Sequence, residues 1–136
     1  MTSYLNNFIL IDDDPASNMI CSAVIKKVFT NANVISFLRP DEALIFIEKE
    51  CVKPECSRSV LFLDINMPAL SGWEFLEEFK NFNTEIKKKI KIFMLTSSVA
   101  ESDKVRAVDN NLVSSLISKP LRKETLKHLI SPVAAA

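Results

Sequence analysis

Short polar clusters that follow apolar runs hold the side chains of this sequence most able to do chemistry. Asp12, Asp13 and Asp14 follow the run 8–11, Asp64 follows 60–63, Thr96 and Ser97 follow 90–95, and Ser118 and Lys119 follow Leu116-Ile117. Three or more carboxylates gathered in a low-dielectric crevice repel one another, and protonation or a bound cation must relieve the repulsion. An all-oxygen ligand set with positions left for water or phosphate describes a Mg²⁺ site more closely than a calcium cage. Adding a hydroxyl and an ammonium points to work on a phosphoryl group, its spread charge held by the metal, Lys119 and Thr96. The nucleophile would then be a carboxylate, and Asp64 is the best placed, since aspartate can form an acyl phosphate.

For these clusters to meet, the runs before them must be neighbouring strands. Runs at 8–11, 34–38, 60–63, 90–95 and 116–117 have strand length and are almost continuously apolar, the pattern of strands covered on both faces. Helical spacing fills the gaps. Residues 15–29 carry Ile20, Val24 and Val28 on one face, 40–51 carry Ala43, Leu44 and Ile47, and 71–82 carry Phe75, Leu76 and Phe79. Segments 99–109 and 122–130, the latter with Leu126, Leu129 and Ile130, complete the alternation. Five strand–helix units with right-handed crossovers predict an α/β fold, an open parallel sheet between two helical layers. Ligands of such sheets bind at the carboxyl ends of the strands, where the polar clusters lie.

Composition narrows the alternatives. The 136 residues carry 17 basic and 17 acidic side chains, a formal charge of zero, which removes the simplest argument for direct DNA or anionic-membrane binding. Gly72 is the only glycine, so neither a dinucleotide fingerprint, a Walker-type phosphate loop nor a G-x-S-x-G elbow can be written. A single histidine, His128, excludes His-rich zinc sites. Cys21, Cys51 and Cys56 are odd in number and lack C-x-x-C spacing, which fits reduced, buried thiols in a cytoplasmic protein. No apolar run approaches the roughly 18 residues of a membrane span, and the early one ends in three aspartates, unlike a signal peptide.

The ordered set Leu10-Ile11-Asp12-Asp13-Asp14-Pro15, Leu63-Asp64-Ile65-Asn66-Met67-Pro68-Ala69-Leu70-Ser71-Gly72, Leu95-Thr96-Ser97 and Ser118-Lys119-Pro120-Leu121 resembles the receiver domain of two-component response regulators over nearly the whole chain. The resemblance implies a doubly wound, flavodoxin-like (βα)₅ fold with strand order 2-1-3-4-5. It also implies that Asp64 is the phosphoacceptor, that Asp12, Asp13, Asp64 and the Asn66 backbone carbonyl hold Mg²⁺, and that Thr96 and Lys119 bind the phosphoryl oxygens. Lys119-Pro120 matches a bond that is cis in the family. The implied partners are a sensor histidine kinase or histidine phosphotransfer protein and an unidentified downstream protein target.

This sequence departs from the family pattern at several positions. Leu116 stands where an aromatic ring usually switches between exposed and buried states, Ser97 replaces the commoner alanine, and Leu112 and Val113 replace a glycine and an alanine. By the same resemblance, Asn66 and Ser98 stand where the family tunes water access to an acyl phosphate. The domain is expected over 1–131 with a tail at 132–136, leaving about six residues after the last helix, so output passes through protein contacts or onward phosphotransfer.

Plainer readings apply to several of these features. Asp14-Pro15 is also an ordinary helix start. Lys87-Lys88-Lys89 reads as a solvated loop, residues 50–59 as a surface insertion and Trp73 as a half-buried helix residue, while His128 lies away from the crevice. The first helix, apolar at Met19, Ile20, Cys21, Ala23, Val24 and Ile25, suits either a partner bundle or packing within the domain. Two further functional readings remain. A haloacid-dehalogenase-like phosphatase uses similar groups but puts its nucleophile on the first strand, with an aspartate where this chain has Asn66. A phosphorylation-independent interaction module is kept open by Leu116.

Overall fold

A computed structural model describes residues 7–56, 58–97 and 100–130. Strands β1 (Asn7–Ile11), β2 (Asn33–Phe37), β3 (Ser59–Asp64), β4 (Ile90–Thr96) and β5 (Val113–Ser118) form one parallel sheet in the order β2-β1-β3-β4-β5. Six helices accompany them among the described residues: α1 (Pro15–Val28), α2 (Pro40–Glu50), α3 (Gly72–Phe79), α4 (Thr84–Lys89), α5 (Glu101–Asp109) and α6 (Lys123–Leu129). This is the open parallel sheet that the alternation predicts, in the doubly wound, flavodoxin-like order that the resemblance implies.

Alternation along the strands separates two cores. Ile9, Ile11, Leu61, Leu63, Ile92 and Met94 pack with Ala43, Ile47, Phe75, Leu76 and Phe79 from α2 and α3. Phe8, Leu10, Val60, Phe62, Phe93 and Leu95 pack on the other face with Cys21, Ile25 and Leu126 from α1 and α6. Two-sided burial holds for β1, β3 and β4 only. β2 and β5 are sheet edges and are largely half-exposed despite the apolar runs that predicted them.

The helix starts follow from sequence. Asp14 caps α1 by accepting the Ala16 N–H, with Pro15 in the first turn, and Ser71 and Glu74 form a reciprocal capping box on α3. α4 is a correction. The expected loop at Lys87-Lys88-Lys89 is the last turn of a short helix capped by Asn83, where three cations oppose the negative end of the helix dipole. The helix expected over 71–82 accordingly ends at Phe79, and β5 extends well beyond the two residues that predicted it. The expected tail at 132–136 and Ser98 lie outside the described residues.

Candidate functional site at the carboxyl ends of the strands

β1 and β3 are adjacent at the sheet's switch point, so Asp12 emerges from β1 beside Asp64, the last residue of β3. Lys119, delivered by β5, reaches across both. Its Nζ lies 2.7 Å from Asp12 Oδ2 and 3.3 Å from Asp64 Oδ1. Both carboxylate side chains are 6% exposed and the lysine side chain 20%, so the ion pairs sit in a recess. Carboxylate oxygens of Asp12, Asp13 and Asp64 lie within 4.8 Å of one another. Asp13 is the exposed member of the three, and Asp14 is committed to the helix cap.

Local bonds fix this arrangement. The Asp12 N–H donates to the Phe37 carbonyl at 3.1 Å, and the Asp14 N–H donates to Asp12 Oδ1 at 3.0 Å. Buried Asn18 donates through Nδ2 to the carbonyls of Asp12 (3.1 Å) and Phe37 (3.2 Å), tying the ends of β1 and β2 to α1. Ser17 Oγ is 3.4 Å from Lys119 Nζ. The sequence patterns missed Ser17 and Asn18, because polar residues in a first helical turn ordinarily face water. The one available signal was the placement of Asn18 among apolar neighbours.

Thr96 ends β4 fully buried, and its carbonyl accepts the Lys119 N–H at 2.7 Å. The Lys119–Pro120 bond is cis. Gly72 serves by having no side chain. A Cβ there would stand 2.7 Å from the Asp64 carbonyl oxygen, 2.7 Å from Met94 Cε and 3.0 Å from Ile65 Cα, so only glycine lets α3 start against the end of β3.

Electrostatics leave the recess short of positive charge. Burial pushes the Asp64 carboxyl above the ordinary carboxylate range, and Asp12 adds to the push; Lys119 and the Asn66 N–H only partly offset it. Lys119 is held above the ordinary lysine range, because Asp12 and Asp64 outweigh the opposing effect of its own burial. At an effective dielectric near 20, two like charges about 5 Å apart repel by roughly 3 kcal/mol. Three carboxylates face one ammonium, and a hard divalent cation with oxygen preference fits the remaining charge and donor set.

Trp73 is buried, not half-buried. Its indole N–H donates to Asp103 Oδ1 at 3.2 Å, and the Arg106 guanidinium lies 4.4 Å from its ring centroid, joining α3 to α5. Leu116, in place of the family's aromatic, is partly buried against the core on that same side of the sheet. His128 lines a groove between β5 and α6.

A five-stranded parallel sheet with an acidic, cation-competent recess at its switch point is the architecture of a signalling receiver. The family model for the response regulator receiver domain matches residues 8–131, and the chain belongs to that family. A two-component response regulator from Cytophaga hutchinsonii is similar at a TM-score of 0.84 with 27% identity, covering 96% of this chain and 97% of the other. A response regulator receiver protein from Dyadobacter fermentans shares the fold at a TM-score of 0.85 and 24% identity, covering 96% and 98%. The probable methanogenesis regulatory protein FilR2 of Methanothrix harundinacea is 34% identical over 74 residues, 54% of this chain and 46% of that protein. That match spans less than half of the relative's length. The chain is thus the receiver domain of a response regulator, a component consistent with two-component signalling. No helix among the described residues is long and apolar enough to cross a membrane.

Proposed function

We propose that this receiver, assigned to 1–131, is a phosphoacceptor switch of a two-component system or phosphorelay, working in the cytoplasm with Asp64 as the acceptor. An Asp64 carboxylate oxygen bonds to the phosphorus of a partner's phosphohistidine as the P–N bond breaks and the imidazole leaves with its electron pair. Lys119 keeps the acceptor ionised and pairs with a phosphoryl oxygen, while the Thr96 hydroxyl takes another. Asp12, Asp13, Asp64 and the Asn66 backbone carbonyl would hold Mg²⁺, which when bound neutralises charge on the transferring group. Later hydrolysis returns the carboxylate, and the protein turns over no external substrate. The observation that carries this reading is the Lys119 ammonium spanning Asp12 and Asp64 beside a three-carboxylate cluster.

The donor side is supported by α1. Met19 and Ile20 are 71% and 52% exposed, and Met19 shares a cleft with half-exposed Leu38, an apolar surface suited to the helices of a histidine kinase or phosphotransfer protein. Output then runs through an unidentified protein target, without direct DNA contact.

Acetyl phosphate with Mg²⁺ followed by intact-mass measurement tests the reading. One phosphoryl adduct, lost in Asp64→Asn and without Mg²⁺, is expected. An unmodified protein would favour the phosphorylation-independent module that Leu116 suggests, and multiple turnover of phosphate esters would favour a phosphatase.

A further inference from the structure

At the opposite end of the sheet, two of the three cysteines lie on one short connection between α2 and β3. Cys51 caps the carboxyl end of α2, its N–H donating to the Ile47 carbonyl at 2.9 Å, and the Cys56 N–H donates to the Lys53 carbonyl at 3.0 Å. Lys89, the last residue of α4, donates through Nζ to the carbonyls of Cys51 (3.0 Å) and Lys53 (2.9 Å), which pins the turn between them. Cys51 is buried and Cys56 is half-buried, and both line one cleft of about 270 Å³ with Asn7, Asn33, Glu50 and Lys53. Cys21 belongs to the core on the other face of the sheet, so it is an internal control.

We propose that Cys51 and Cys56 form a reversible thiol–disulfide site, oxidised within one chain by peroxide and reset by a dithiol reductant. The Cys56 sulfur attacks the O–O bond of hydrogen peroxide, giving a Cys56 sulfenic acid and one water. The Cys51 sulfur then bonds to the Cys56 sulfur, and the sulfenic hydroxyl leaves with the Cys51 proton as a second water. Two thiol hydrogens and two electrons are lost, and one S–S bond is gained. The order follows from access and from the burial of Cys51. Cys56 is the more open thiol, whereas burial, reinforced by Cys56, pushes Cys51 up to about 12 and makes it a poor first nucleophile. Because Lys89 already holds the turn, the second step starts from two thiols that line the same cleft.

The test uses the full reduced chain, treated with hydrogen peroxide, denatured, alkylated and weighed, with a peptide map made without reduction. A monomer that has lost two hydrogens, carries one alkyl group on Cys21 and yields a Cys51–Cys56 cross-link is expected, with full reversal by dithiothreitol. Cys56→Ser, at a half-buried position, abolishes the bond while circular dichroism stays native, and Cys21→Ser leaves it intact. Three alkylatable thiols after treatment would overturn the proposal. So would a bond to Cys21 or a second molecule, or a Cys56 that oxidises further while Cys51 stays free.

Discussion

The two ends of the sheet solve opposite problems with the same side chain. At the carboxyl ends, Lys119 is shared by two buried carboxylates with a third close by, so charge is concentrated and only partly relieved. At the amino ends, Lys89 donates to two neutral carbonyls and closes the connection between α2 and β3. One lysine keeps like charges together, and the other satisfies backbone that would otherwise need water. The difference separates an end that concentrates charge from an end where a charge settles backbone: burying paired charges is a poor route to stability, whereas satisfying carbonyls is an ordinary one.

The widest contrast comes from removing each lysine's charge. Lys119→Met leaves Asp12 and Asp64 facing each other in the recess and should cost about 2 kcal/mol in urea unfolding, below the full figure for a buried pair because the site is partly wet. Saturating Mg²⁺ should recover much of that loss. Lys89→Met should cost about 1 kcal/mol, with no Mg²⁺ dependence. Equal costs, or Mg²⁺ rescue at position 89, would erase the distinction.

Gly72→Ala tests how tightly the acidic end is built. Its Cβ would press on the Asp64 carbonyl and Ile65 Cα, backbone atoms that cannot rotate away, so a loss of about 1–3 kcal/mol is expected together with weaker Mg²⁺ binding. Unchanged stability would mean that α3 does not set the position of Asp64.

Neighbouring aspartates split by role. Asp14→Ala removes a helix cap and should lower stability by about 1 kcal/mol without changing Mg²⁺ affinity. Asp13→Ala should do the reverse, weakening Mg²⁺ binding by calorimetry while leaving stability unchanged or raised by relief of repulsion. The last effect is a pH slope confined to the alkaline range. Burial, then the Asp12 charge, pushes the Cys21 thiol up to about 11 against an ordinary 9.0. The folded chain therefore keeps that proton to higher pH than the unfolded one. Its contribution is complete below pH 9 and fades as pH rises through about 11, so Cys21→Ala should flatten the alkaline decline in unfolding free energy.

Legibility in the sequence follows the same division. Asp12, Asp64, Thr96 and Lys119 were readable because each is a polar residue that ends an apolar run, and parallel strands bring such ends together. Asp14 was readable as a cap because Pro15 follows it. α4 was not, since six residues with one buried side chain, Ile86, give no helical period. The edge character of β2 and β5 was hidden because apolar content does not reveal position in a sheet. Trp73 and Lys89 owe their roles to partners 30 and 36–38 residues away, which no local pattern encodes.

Borohydride reduction after treatment with acetyl phosphate and Mg²⁺, followed by peptide sequencing, bears most directly on the proposed acceptor. An aspartyl phosphate is reduced to homoserine, so the residue that carried it is marked. Homoserine at position 64 alone, absent from Lys119→Met or strongly reduced in it, is the expected result. Conversion at another carboxylate, or none anywhere in a folded protein, would contradict the assignment of Asp64.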